Sequence, residues 1–542
     1  MGSFRALAVA WGLWSTALAE PNTCQPFEAH PQLPIFHIIG NVTGSGEDLA
    51  VGYINDCSGI VEHLGVFHVF HQCCQNHWEH VVSTDLMHWT RLPSPIVPNR
   101  TDPKQWYDAG GSYDGSVTIL PEADGGPVII YDVIEVGPPP SGLGDDPPTM
   151  GVARAADATD PYLVDWIKDP ANPIDFDGTA GSSFPSSVWY NEINGYWNLL
   201  AHTYRYESPN SSFHVWRRKE QILDHHVADL GGQWFLALPP PPEGVDAAVG
   251  APTHAVNTRA GELYIFGNYS AADETFKQSK SPAISSIDHG PSFSWAAAQW
   301  AGNRTMNIGW VGGSSQATHD SLSLLRDVRY DPRILALVSN PLDELAGLRN
   351  ATIADERAFA LAAGDTKTLS GTAANPRAAS ADVVLSFDVS DASSGPTIAT
   401  VCTLADPKDP NATGGVAVLV NVTAAAADGA RSARAVVGDC GAELTTDGSG
   451  AYDVPVLDGE ETFDLRILVD RQVVETFVHG GRCVFTQVTG VQGTTPGTSV
   501  TISAQTAVAV ASARVFSMGC GWTDPAYSPT APVAEEAHLL SG

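Results

Sequence analysis

The stretch GYINDCSGIVEHLGVFHVFHQ (Gly52–Gln72) sets an Asn-Asp pair, Asn55 and Asp56, against an apolar run that ends in a strand of alternating bulk. Asx and Gly residues are ordinary turn formers, so a plain turn is the simplest reading of Asp56. The rest of the chain argues for more. Short runs of Val, Ile, Tyr, Phe and Trp recur, as in GVFHVFHQ, GSVTIL, GPVIIYDVI, GYWNLLAHTY and GELYIFGNY, separated by Gly, Pro, Asn and Asp. This is the pattern of an all-β protein with many short strands. Repeated over about 300 residues, such sheets fit a propeller better than one sandwich.

A chain of 542 residues is long enough for two or three domains. It is 43% hydrophobic and 16% charged, which supplies large cores and excludes a disordered protein. Acids outnumber bases 61 to 28, a net charge of -33 that repels nucleic acid and anionic membranes and suits a soluble protein with a neutral ligand. The opening MGSFRALAVAWGLWSTALAE reads as a secretory signal over 1–19, with Arg5 as the positive region, Ala6–Leu18 as the apolar region and Ala17-Leu18-Ala19 as the cleavage site. A membrane anchor is the competing reading, but no second apolar segment of about 18 residues follows. Sequons at Asn41, Asn99, Asn210, Asn268, Asn303, Asn350, Asn411 and Asn421 agree with export and imply surface N-glycans. In an oxidising compartment some of the eight cysteines should pair. Cys402 with Cys440 is the first expectation, both lying in one late β-rich region, and Cys73-Cys74 are read as disulfide formers.

Two Pro-rich insertions, EVGPPPSGLGDDPPT and LALPPPPEGVD, read as loops between sheets. NPLDELAGLR reads as a short helix-like connector. Beyond it ADVVLSFDVS, GVAVLVNVT and FDLRILVD alternate as in a half-exposed sandwich. GWTDPAYSPTAPVAEEAHLLSG reads as a loose tail.

The ordered landmarks resemble glycoside hydrolase family 32, the invertase and fructan-hydrolase family, over nearly the whole mature chain. YINDCSG is similar to that family's W-x-N-D-P-N-G, FHVFHQ to its H-x-F-Y-Q, and HWEHVVSTDLMHWTRLP to its W-G-H-x-x-S-x-D-L-x-H-W-x-x-L-P. YDAGGSYDGSVTIL resembles D-x-x-G-x-W-S-G-S-A-T. IDHGPSFSWAAAQWAGNRTMNIGWVGG and LLRDVRYDPRILALVSNPLDELAGLR resemble the last blade and the connector, and LRILVDRQVVETFVHGGR (Leu465–Arg482) the C-terminal sandwich. The resemblance implies a five-bladed β-propeller over 20–340, a linker over 341–364, a β-sandwich over 365–520 and a tail over 521–542.

It also implies an activity: hydrolysis of β-fructosides such as sucrose or fructans by a retaining mechanism, in a secreted, extracellular or vacuolar setting, with a carbohydrate partner and with no cofactor or metal. Asp56 would be the nucleophile. Retaining glycosidases use two carboxyl groups about 5–5.5 Å apart, one as nucleophile and one as acid/base. Asn55 and Gln72 would hydrogen-bond sugar hydroxyls and Trp78 would form part of an apolar rim, with Tyr113 and Ser183 as further substrate contacts.

The chain departs from the family in three places. Where the family has R-D-P, whose Asp binds two fructosyl hydroxyls, GTAGSSFPSSVWY carries Ser183, Phe184 and Pro185. Where it has E-C, whose Glu is the acid/base, EGVDAAVGAPTHAVN carries Val249 and Gly250, with Asp246 and Glu243 just before. Asp246 or Glu243 could substitute, or the acid could be lost. Where it has W-S-G-S, the chain reads YDGS, bringing Asp114 to a position facing the pocket. Asp114 is therefore a candidate, beside Asp56, to replace the lost sugar contacts or to serve as the acid/base, the alternative being a turn Asp facing water. The cluster HVFHQCCQNHWEH suggests zinc, but strand alternation sends His68 and His71 to opposite faces. A carbohydrate-binding relative without full activity and a glycosidase or transferase of altered sugar specificity are the alternative functions.

Overall fold

The computed structural model describes residues 33–524 except 44–49, 52, 74–76, 100, 135–149, 177–184, 202–203, 222–231, 238–253, 259–262, 271, 273–274, 280–283, 313–319, 371–378, 391–394, 406–414, 425–430, 449 and 490–498. The expected leader, the Pro-rich insertions, and Ser183, Phe184, Glu243, Asp246, Val249 and Gly250 lie outside the described residues, apart from strand-forming ends of the insertions.

Five sheets follow one another along the chain, each built on a four-stranded antiparallel meander. The first runs Ile54–His63, Val66–Cys73, His77–Ser83, Trp89–Ile96, and the second Gly111–Ile119, Pro127–Ile134, Met150–Ala155, Trp166–Lys168. The third is Trp189–Asn191, Tyr196–Ala201, Tyr204–Ser208, Val215–Gln221, and the fourth Gly232–Ala237, His254–Thr258, Leu263–Ser270, Thr275–Gln278. The fifth is Phe293–Ala301, Arg304–Val311, Arg326–Asp331, Ala336–Pro341, with Ser321–Leu322 added beside Arg304–Val311. These are the five blades of the propeller. Two six-stranded sheets built between Arg349 and Met518 then form the sandwich, whose facing sides bury Val383, Leu385, Phe387, Val401, Val418, Val420, Ile467 and Ile502.

The first strands of the first, second and fifth blades pack against one another, and one side chain ties these blades and the chain entering the third together. Gln299, in the fifth blade, accepts the Ile60 N–H at 2.5 Å through Oε1. Its Nε2 donates to the Val117 carbonyl at 2.9 Å and to Ser187 Oγ at 2.5 Å. Three neighbours in three other blades thus satisfy one buried amide, and each bond restricts a blade's slide along the axis.

The propeller and sandwich share a charged network with no exposure. Arg326, in the fifth blade, donates to Asp288 at 2.8 Å, to Glu475 at 2.7 and 3.1 Å, and to Thr486 Oγ1 at 2.6 Å. Glu475 also accepts the Leu324 N–H at 2.7 Å and meets His37 Nε2 at 3.2 Å. Asp470 accepts the backbone N–H groups of Ile35, Phe36 and His37 and pairs with His37 Nδ1 at 2.8 Å. The sandwich motif noted above thus owes its two carboxylates to this junction. Around them Leu33, Ile39, Leu324, Leu348, Leu468, Phe477, Met518 and Trp522 form one apolar core drawn from both domains.

Two expected segments take a different form. Of the supposed linker, Asp343–Leu348 is a 3-10 turn, but Arg349–Leu361 is an edge strand of the sandwich paired along Val508–Met518. Its polar sequence, RNATIADERAFAL, hides the strand because an edge strand buries few side chains. The supposed tail begins with Trp522–Asp524, which pairs in parallel with Trp89–Ile96 of the first blade. Cys402 and Cys440 form the expected disulfide, Cys73 is buried, and Cys74 lies outside the described residues. His68 pairs with His80 at 2.9 Å, while His71 turns to the Gln72 carbonyl and Glu79. Burial pushes both His68 and His71 down to about 4, leaving them neutral. No helix among the described residues is long and apolar enough to cross a membrane.

The network yields two measurable consequences. Arg326→Met removes the cation between two buried carboxylates, and unfolding by denaturant should show a loss of about 3–5 kcal/mol. Burial alone would lower the His37 pKa, but its bonds and charge contacts with Asp470 and Glu475 outweigh that and raise it to about 9. Because the folded value lies above the unfolded one, the stabilisation is complete below about pH 6.5 and disappears as pH rises through 9. It amounts to about 2–3 kcal/mol at neutral pH. Melting curves between pH 6 and 10 should therefore fall more steeply for the native chain than for His37→Asn.

Candidate active site

Asp56 owes its aim to a backbone irregularity. Ile54 pairs with Cys73 and Cys57 with His71, so that Asn55 and Asp56 together oppose the single residue Gln72. Such a β-bulge bends a strand and redirects the side chain it displaces. The second blade repeats it: Ser112 pairs with Val133 and Gly115 with Tyr131, leaving Tyr113 and Asp114 opposite Asp132. The fifth blade has a third, between Ser294 and Ala297. In the first two blades the second displaced residue is an aspartate, and both are almost buried, Asp56 at 9% exposure and Asp114 at 8%.

Gln72 joins the two. It stands opposite the Asn55-Asp56 bulge, and its Nε2 donates to Asp114 Oδ1 at 2.8 Å, spanning the first and second blades. Asp114 is therefore in the wall between blades and not a turn residue facing water. A carboxylate accepting an amide N–H is suited to organise further donors, such as sugar hydroxyls. Asn55, half-buried beside Asp56, completes this group of polar side chains.

Trp78 is placed differently from the expected rim. It has no exposed surface, and its Nε1 donates to the Tyr113 carbonyl at 2.6 Å. It supports the Tyr113-Asp114 bulge from beneath, packed with Phe70, Val117 and Tyr131. The glycine after Asp114 is what admits it: a Cβ on Gly115 would stand 2.6 Å from the Trp78 ring and 2.5 Å from the Ile130 carbonyl oxygen. The aromatic residue open to solvent is instead Tyr53, 44% exposed, two residues before Asn55. Burial, then the negative charges of Asp320 and Asp56, raise its hydroxyl pKa.

Tyr53 and Asp320 were not singled out by the sequence. Tyr53 stands at the Trp position of W-x-N-D-P-N-G and could have been found there, whereas Asp320 carries no motif. Of the expected substrate contacts, Tyr113 is half-buried with its carbonyl held by Trp78. Ser183 is outside the described residues, but the chain after it is tied to the second blade by Ser116 Oγ donating to the Ser186 carbonyl at 2.7 Å. Asp246 and Glu243 are likewise outside the described residues. No group of three or more His, Cys, Asp or Glu side chains among the described residues is arranged to hold a metal ion.

Comparison with known proteins bears on the same residues. Residues 49–341 match the family model for the N-terminal domain of glycosyl hydrolases family 32, and 345–515 that for its C-terminal domain. A 6(G)-fructosyltransferase of Asparagus officinalis is 36% identical over 160 residues, 27% of this chain and 24% of the relative. An insoluble-isoenzyme β-fructofuranosidase of Arabidopsis thaliana is 25% identical over 342 residues, 56% of this chain and 55% of the relative. The chain thus spans from about a quarter to just over half the length of these curated relatives. The crystal structure of fructan 1-exohydrolase IIa from Cichorium intybus superposes with a TM-score of 0.71 at 19% identity, covering 91% of this chain and 98% of that one, which establishes the shared fold. With the family model matching more than half of the chain, from the Asp56 blade to the end of the fifth, this protein belongs to glycosyl hydrolase family 32.

Proposed function

We propose that the protein is a retaining glycoside hydrolase that cleaves β-fructosides, sucrose or fructans, with Asp56 as the nucleophile. The observation that carries this reading is the pair of matched bulges that set Asp56 and Asp114 on either side of Gln72. In a retaining reaction a carboxylate attacks the anomeric carbon, and a second carboxyl group protonates the leaving oxygen and later activates water. Asp56 fits the first role by its place in the family motif and its aim out of the strand. Asp114, already accepting the Gln72 amide, fits best as an acceptor for sugar hydroxyls, the work of the missing R-D-P aspartate. Asn55 would add a hydroxyl contact, and Tyr53 an apolar face at the mouth.

Export belongs to the same reading. Residues 1–19 would be removed as a leader, and Asn210, Asn268, Asn303 and Asn350, all exposed sequon residues, would carry glycans. The similarity to the Asparagus fructosyltransferase favours a second reading, in which the fructosyl unit passes to a sugar hydroxyl in place of water. Product analysis at high sucrose separates the two: free fructose for hydrolysis, a trisaccharide for transfer.

Incubation of the secreted protein with sucrose, inulin and a panel of other glycosides tests the proposal. Slow release of fructose is expected, below that of relatives with all motifs intact. Each donor missing from the transition state costs about 10²–10³ in rate. Asp56→Asn should lower kcat by about 10³-fold or more with an unchanged melting temperature. Equal turnover by native and Asp56→Asn protein would remove the mechanism. Asp114→Asn should act chiefly on binding. The loss of hydrogen bonds to a charged acceptor, each worth about 1.5–3 kcal/mol, should raise KM for sucrose by about 10- to 100-fold. Steady-state kinetics that show a lower kcat at unchanged KM would contradict that role.

A further inference from the structure

The proposed reaction needs a proton donor, and the resemblance sets Val249 and Gly250 where the family carries its acid. Asp320 of the fifth blade is a carboxyl group next to a strand that packs beside the one carrying Asp56. It immediately precedes Ser321–Leu322, which runs antiparallel to Arg304–Val311 with Val311 opposite Ser321 and Trp310 opposite Leu322. The next position of that register sets Asp320 against Gly312. A Cβ on Gly312 would lie 2.5 Å from Asp320 Oδ1 and 2.7 Å from the Trp310 ring, so the missing side chain is what leaves room for the carboxyl group. Ser321–Leu322 also packs beside Ile54–His63, the inner strand that carries Asp56. Tyr53, one residue before that strand, lies in the field of both Asp320 and Asp56. Among the described residues Asp320 is engaged in no ion pair, unlike Asp288 and Asp327 in the same blade region.

We propose that Asp320 is the acid/base of this site, supplying from the fifth blade the carboxyl group that the altered E-C motif lacks. The inference rests on the reading of the protein as a retaining β-fructosidase. In the first step an Asp56 oxygen bonds to the anomeric carbon. The bond from that carbon to the leaving oxygen breaks, and the oxygen takes the electron pair and the Asp320 proton. In the second step Asp320, now a carboxylate, takes a proton from water as the water oxygen bonds to the anomeric carbon. The ester bond to Asp56 breaks in the same displacement, with its electron pair returning to the carboxylate. Proton and charge balance over the cycle, and no oxidant or metal is required.

The surroundings suit that role. Burial pushes the Asp320 carboxyl up to about 6, so that a substantial fraction holds its proton in mildly acidic solution. The described elements packed around it present Gly312 and Trp310, which do not titrate, and Tyr53, with Asp56 beyond. Tyr53 and Asp56 are both acids, and neither supplies a cation that would draw the proton away.

The test compares native protein, Asp320→Asn and Asp114→Asn on sucrose and on a nitrophenyl β-fructofuranoside, with and without azide. The nitrophenolate departs without a proton, so only the sugar leaving group needs the acid. For Asp320→Asn, kcat/KM on sucrose should fall by about 10²–10⁴-fold, while the burst of nitrophenolate stays within about tenfold of native. Azide should restore turnover by capturing the fructosyl-enzyme as fructosyl azide, and the decline of kcat/KM above about pH 6 should vanish. Asp114→Asn should retain that decline and gain nothing from azide. Native-like sucrose kinetics in Asp320→Asn would overturn the assignment alone. So would equal losses on both substrates with no response to azide, which mark a structural role. A native protein inert towards every β-fructoside would overturn the underlying reading, and this one with it.

Discussion

The guanidinium of Arg326, wholly buried between Asp288 and Glu475, is the constraint on which the rest of the architecture depends. Three carboxylates, Asp288, Asp470 and Glu475, sit with it and with His37 inside the junction of two domains. Such groups are tolerated only when every acceptor is occupied. Backbone N–H groups of Leu324 and Thr486 and of the 35–37 segment make up what two cations cannot supply. Each comes from a different part of the chain, so the charges cannot be satisfied until the N-terminal segment, the fifth blade and the sandwich have all docked.

That requirement bears on how the propeller closes. A ring of blades needs its first and last members locked together. Here the segment before the first blade does this from outside the sheets: the Ile39 carbonyl accepts from Arg91 of the first blade, and Ile39 bridges Ser321 of the fifth. The segment is held in turn by Asp470 of the sandwich. The sandwich is thus part of the propeller's clasp, and Trp522–Asp524 adds a second tie by joining the first blade from the far end of the chain. On the axis, Gln299 fixes blade against blade. Rigid inner strands are what allow a bulge to point a carboxylate consistently in one direction.

The legible part of this structure was the part written in alternation and in ordered motifs. Runs such as GVFHVFHQ and ADVVLSFDVS became strands because their bulky residues match the two-residue period of a sheet, and the change of composition after NPLDELAGLR marks the passage to the sandwich. Asp56 and Asp114 were found through motifs. The bulges that aim them left no trace, since a bulge is defined by the partner strand and not by the residues in it. RNATIADERAFAL hid an edge strand for want of buried residues. Trp78 was misplaced because an aromatic residue in a motif looks the same from sequence whether it lines a cavity or supports its wall. Only the close approach at Gly115 shows which it does. Asp320 falls between two of the quoted landmarks, outside both, and only the register with Arg304–Val311 brings it towards Tyr53.

The three departures from the family can be understood together. The resemblance implies a nucleophile, an aspartate holding hydroxyls and a glutamic acid giving a proton. By the same resemblance the matching positions of this chain hold Ser183-Phe184-Pro185 and Val249-Gly250, while the second and fifth blades carry Asp114 and Asp320. On the proposed assignments the requirement is for three carboxyl groups in distinct environments, not for particular blades. A ring permits the exchange, because inner strands from different blades converge on one axis. The environments also divide the work: Asp114 is tied by an amide that favours accepting hydrogen bonds, and Asp320 lies half-buried against a glycine with no cation paired to it. Groups whose surroundings differ in this way separate into an acceptor and an acid.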